Sequence, residues 1–194
     1  MKKGTVYNGK EEHFNIGFSR VWAMPNAWTF KIGPIARLLK RYVPDGDNHW
    51  LDPYAGYNSP AQWRNDLDPE TPNQYHMHAV EWAQYMRDQQ SGGLPIARGY
   101  PGIIYDPPYS FRQISEHYKA LGMKATQADT SMAFYEKAKS GFCDLIRPGG
   151  LAISFGWNSN GFGKARGFRI IEIMLVAHGG SKNDTIVVVE QKIK

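Results

Sequence analysis

The chain has one cysteine, Cys143, in 194 residues. A lone thiol makes no intrachain disulfide and no cysteine-based zinc site, which suits a protein kept in a reducing cytoplasm. Long apolar runs are missing too. The longest, Ile170 to Ala177, has eight residues and includes Glu172, against roughly 20 for a membrane-spanning helix. Met1 to Asn15 is polar and carries no secretory apolar core. No charge of one sign dominates. The 23 Lys and Arg against 18 Asp and Glu leave +5, which fits a polyanionic partner and ordinary surface solubility equally. There is no internal repeat and no low-complexity tract. What is abundant is aromatic: 6 Trp, 11 Tyr and 9 Phe, a composition that excludes whole-chain disorder. The length is that of one domain with a real core.

Residues 1–28 read as an irregular, aromatic-rich arm. Phe30 to Tyr42 places Ile35, Leu38, Leu39 and Tyr42 at helical spacing, with Pro34 tolerated in the first turn. Trp50 to Asp52 reads as a short strand, and a second ends near Asn65-Asp66. A helix is expected from about Asn73 to Gln90, a strand at Gly102 to Tyr105, a helix from about Ser131 to Ile146, and a strand at Leu151 to Phe155. Ile170 to Val176 and Ile186 to Val189 are too close in sequence for a parallel crossover and predict an antiparallel hairpin. The expected fold is α/β, a mostly parallel sheet closed by a C-terminal hairpin.

The sharpest feature is Ile103-Ile104-Tyr105 followed by Asp106-Pro107-Pro108-Tyr109. In an open α/β sheet, ligands sit at the carboxyl ends of strands. Two prolines stiffen the loop and remove two N–H donors. The Asp106 carboxylate and the Pro107 carbonyl remain as acceptors beside an aromatic ring. That set suits a planar group bearing an NH₂.

Asp-Pro-Pro-Tyr resembles the catalytic signature of the amino-group DNA methyltransferases, which methylate adenine N6 or cytosine N4. An Asp in first place resembles the adenine enzymes. The resemblance implies a Rossmann-like class I methyltransferase sheet over residues 29–194, with S-adenosylmethionine as cofactor and DNA as partner. Asp106, Pro107, Pro108 and Tyr109 become the catalytic residues, with Tyr109 stacking on a base taken out of the duplex.

The same family commonly has a loop of the form Asp-Pro-Phe-x-Gly-x-Gly, and Asp52-Pro53-Tyr54-Ala55-Gly56-Tyr57-Asn58 is similar. By that likeness Asp52, Pro53, Tyr54 and Gly56 bind cofactor at a tight strand-to-helix turn, Asp52 holding its ammonium directly or through water. Asn58 stands where a second Gly often lies, and Asn tolerates positive φ best after Gly. Asp66 is assigned to the cofactor ribose and Asp68 to a helix cap. Phe30 belongs to the segment that closes over the methionine end of the cofactor. The chain resembles small phage-type proteins of this family, and Ser19 to Pro25 matches them without an assigned role. Where they carry an Asp, this chain has His78. His76 and His78 read as surface or packing residues, because i and i+2 diverge on a helix, and no metal site is expected.

Phe155 to Phe168 holds four glycines after the expected strand, with Lys164 and Arg166 as phosphate candidates. A loop packing its aromatics inward is the other reading. No separate target-recognition region is expected, so recognition is relaxed, or a partner or second subunit supplies it. Cytosine N4, RNA or protein amides remain open as substrates. A non-catalytic nucleic-acid-binding or anti-restriction protein is the rival from outside catalysis. A phage origin would place the protein in the host cytoplasm.

Overall fold

The computed structural model describes residues 15–46, 48–91, 98–108, 119, 122, 132–180 and 182–194. Its strands are β1 (Gly17–Trp22), β2 (Leu51–Asp52), β3 (Trp63–Arg64), β4 (Tyr100–Tyr105), β5 (Ile146–Gly156), β6 (Phe168–Ala177) and β7 (Thr185–Lys192). Its helices are α1 (Gly33–Tyr42), α2 (Ala79–Ser91) and α3 (Met132–Cys143). The strands form one sheet in the order β1-β6-β7-β5-β4-β2-β3. Only β7 runs antiparallel, to β5 on one side and β6 on the other. Every other strand therefore ends at the same rim.

Two cores sandwich this sheet. α1 buries Ile35, Leu38 and Leu39 against Ile104, Ile153, Phe155 and Val187. Pro34 sits in its first turn, and Val43, which donates to the Leu39 carbonyl at 2.7 Å, ends it just before Pro44. α2 and α3 cover the other face, where Trp82, Met86 and Phe142 meet Ile103, Tyr105 and Ala152. Strands buried on both faces explain the β-branched runs that carry no alternation.

The β6–β7 hairpin is present as expected, and both strands are longer than the apolar runs suggest. Four expectations are corrected. The arm contains a strand: β1 pairs in parallel with β6 from Gly17↔Glu172 to Trp22↔Ala177. The helix expected from Asn73 begins only at Ala79, because the Asn65 side chain captures Met77. It accepts from the Met77 N–H and donates to the Met77 carbonyl, both at 2.9 Å. β5 starts five residues early and runs through Pro148-Gly149-Gly150, its added length absorbed by a register shift between Tyr100 and Gly102. Finally, no helix follows β2. The loop folds back and passes directly into β3, which pairs beside β2 in parallel.

Candidate active site

β2, β3 and β4 deliver Asp52, Asp66 and Asp106 to one rim, with β4 lying between β2 and β5. Asp106, Pro107 and Pro108 are half-buried there, and Tyr109 lies outside the described residues. Behind them Tyr105 is buried. Its ring meets Tyr54 edge-on at 5.3 Å and Phe162 edge-on at 5.5 Å. Its hydroxyl donates to the Tyr135 carbonyl at 3.2 Å, which ties the end of β4 to α3. Burial holds the Tyr105 phenol well above its ordinary range, so it is a neutral prop.

Asp52 is fully buried. It accepts from the Ser59 hydroxyl at 2.6 Å and from the Tyr54 N–H at 3.0 Å. Desolvation drives its pKa well above the usual carboxylate value, and the neighbouring charges of Asp106 and Asp66 push the same way. These two bonds make Asp52 a brace of the loop that carries Gly56. Asp66 also braces the loop, accepting from the Gly56 N–H and from the Asp68 N–H, both at 2.9 Å. Asn73 completes the brace by donating to the Gly56 carbonyl at 2.8 Å. Asp68 caps a turn rather than a helix, through the Glu70 N–H at 2.9 Å.

Gly56 takes φ +51°, and a Cβ there would meet nothing within 4 Å. The loop thus turns in a conformation favouring glycine and opens to space above the strand ends. Asn58 does not share that conformation; among the described residues only His49 has positive φ without being glycine. Pro53 offers its carbonyl to the Asn65 amide at 3.1 Å. Phe30 packs on Phe155 at 5.4 Å, which brings it to the rim beside β4. His76 is exposed, and the half-buried His78 meets Phe134 edge-on at 6.3 Å.

The glycine-rich loop after β5 is pinned. The buried Glu190 carboxylate accepts from the Phe162 N–H at 2.6 Å and the Gly163 N–H at 2.9 Å. Gly161 has φ +53°, and a Cβ there would collide with the Glu190 carboxylate. Lys139 donates to the Gly161 carbonyl at 2.7 Å. Arg166, expected to meet phosphate, is turned inward. It pairs with Glu136 at 2.7 Å and donates to the Phe162 carbonyl at 3.1 Å and the Ser140 hydroxyl at 3.2 Å. Lys164 remains exposed. Sequence reasoning missed Glu190, although an acid following Val187-Val188-Val189 in a buried strand is a signal that it has a fixed partner.

No family model matches the chain, and no curated protein matches it significantly. Solved structures do. TrmN from Thermus thermophilus is similar at TM-score 0.51 and 16% identity, over 84% of this chain and 49% of that one. SMU.776, assigned as a methyltransferase and solved with SAH, is similar at TM-score 0.50 and 10% identity, over 79% of this chain and 48% of that one. The fold is that of the class I methyltransferases. The chain spans about half the length of these two matches. Among the described residues no helix is long and apolar enough to cross a membrane, and no group of three or more metal-ligating side chains converges.

Proposed function

We propose that the chain is an S-adenosylmethionine-dependent methyltransferase acting on the exocyclic amino group of adenine in DNA. The observation that carries this reading is the position of Asp106-Pro107-Pro108. It ends β4 at the rim that also holds the Asp52–Gly56 loop and Asp66.

The residues present fit the cofactor by their chemistry. Three carboxylates gather at one rim; burial raises the pKa of Asp52, and the charges of Asp106 and Asp66 add to it. A ligand bearing a sulfonium and an ammonium relieves their mutual repulsion. Gly56 leaves room for it above the strand ends. Asp66 holds the loop and retains lone pairs for ribose hydroxyls. When bound, the cofactor supplies a methyl group activated on positively charged sulfur.

The protein's task is to place and prepare the amine. An exocyclic amine is a poor nucleophile because its lone pair is delocalised into the ring. Asp106 and the Pro107 carbonyl accept its two hydrogens, which favours a pyramidal nitrogen with its lone pair aimed outward. Pro108 fixes the loop so that these acceptors are preorganised, the condition under which hydrogen bonds lower a barrier most. Tyr54, Phe162 and Tyr135 hold Tyr105, and through it the root of that loop.

The test is transfer of a labelled methyl group from S-adenosylmethionine to DNA, RNA and protein in parallel. Label in DNA with wild type, and loss of roughly 10²–10⁴-fold with Asp106→Ala, is the expected result. Label in RNA or protein alone would move the substrate, and cofactor binding without any transfer would remove the enzyme reading.

A further inference from the structure

Ser19 to Pro25 has no role in the site described above, yet it ends at the same rim. β1 runs parallel to β6 and finishes beside its C-terminal end, where Ala23 donates to the Ala177 carbonyl at 3.0 Å. His178 locks this exit, with one ring nitrogen 2.9 Å from the Ala23 carbonyl and the other 2.9 Å from the Thr185 hydroxyl. From there the chain crosses the rim until Phe30 packs on Phe155 at the end of β5. The crossing segment is rich in large exposed side chains. Trp22 is 64% exposed and Trp28 50%, and Trp157, just past β5, is 44% exposed. Trp22 and Trp28 each keep half or more of their surface in water, a large apolar exposure that a binding partner would cover.

Charge says what covers them. Residues 15–44 contain Arg20, Lys31, Arg37, Lys40 and Arg41 and no acid. Arg41 pairs with Glu172 of β6, and Arg20 and Lys31 are the exposed cations beside the indoles. Cations and rings are interleaved. Arg20 and Trp22 share the exposed face of β1 by strand alternation. Lys31 lies over the Trp28 ring at 4.6 Å. An apolar protein partner has no use for this charge, and duplex DNA keeps its base faces stacked internally. Cations beside aromatic faces suit a polyanion with free planar bases.

We propose that this rim is a binding track for an unpaired polynucleotide strand, with bases stacked on Trp22 and Trp28 and phosphates met by Arg20 and Lys31. It deepens the reading of Asp106 as the methyl-transfer site, and rests on that reading only for where the track leads. From β1 to β4 is four strand spacings, about 19 Å, a span of a few nucleotides. A target base already unpaired saves the energy of extraction from a duplex.

The experiment is fluorescence anisotropy of the full chain, without cofactor, on a labelled single strand and on the blunt duplex of the same sequence. The single strand is expected to bind at least tenfold more tightly and to quench tryptophan emission. Trp22→Ala and Trp28→Ala should each weaken it roughly tenfold. Arg20→Glu with Lys31→Glu should weaken it further and flatten its salt dependence. Equal affinity for duplex and single strand, or variants that bind like wild type, would overturn the track. A dimer in sedimentation that Trp22→Ala dissociates, with no oligonucleotide bound, would assign the rim to a second copy instead. The two readings fail separately. Tight single-strand binding without methyl transfer leaves the track and removes the enzyme; methylation unaffected by the tryptophan and charge variants does the reverse.

Discussion

At the scale of residues, the site is built from charges that the fold accommodates at a cost. Asp52 has a higher pKa folded than unfolded, so the native state binds its proton more tightly. Stability contributed this way is lost as pH rises from the ordinary carboxylate range through the raised value. Asp52→Asn keeps the acceptor for the Tyr54 N–H and removes the charge. Its melting temperature should therefore exceed that of wild type at pH 8 by about 2–4 °C and should vary less with pH across that window, as calorimetry at several pH values will read. Arg166 makes the complementary case. Its pairing with Glu136 is internal, and Glu136 is held below its usual pKa by Arg166 and Lys139 although burial alone raises it. Arg166→Ala should cost about 1–3 kcal/mol in urea unfolding and leave the salt dependence of oligonucleotide binding unchanged. Asp106 and Gly56 were legible in the sequence because their chemistry is local: an acid before two prolines, a glycine in a turn. The roles of Arg166 and Glu190 were not, because each is set by a partner 27 to 30 residues away.

At the scale of elements, packing decides what periodicity leaves open. Trp50 lies against Gly102, where a Cβ would come within 2.6 Å of the indole. Gly102→Ala must push the ring or bend β4, and should cost about 1–3 kcal/mol by overpacking, measured by denaturant unfolding. Because β4 carries Asp106, the same variant should lose activity beyond what the unfolded fraction explains. α1 was readable from Ile35, Leu38 and Leu39, which repeat at helical spacing and all reach the core. β1 was not. Its burial is shallow, its large residues face water, and only pairing with β6 makes it a strand. The start of α2 was misplaced for a similar reason: Asn65, a residue of the preceding segment, holds Met77 out of the helix. Propensity acts within an element, whereas these boundaries are set between elements.

At the scale of the molecule, the sheet brings three acids from three strands to one rim and places β1, with Arg20 and Trp22, at its opposite edge. The parallel strands and the closing hairpin followed from spacing alone, and this class of sheet puts its ligand site at the carboxyl ends. The site's neighbourhood was therefore legible once the acids were located. Which group receives a methyl is a question of chemistry at Asp106, and nucleoside mass spectrometry answers it. DNA is incubated with the protein and S-adenosylmethionine, digested to nucleosides and weighed. The account predicts N6-methyladenine with wild type and none above background with Asp106→Ala. Methylation at cytosine, or N6-methyladenine produced equally by both proteins, would contradict it.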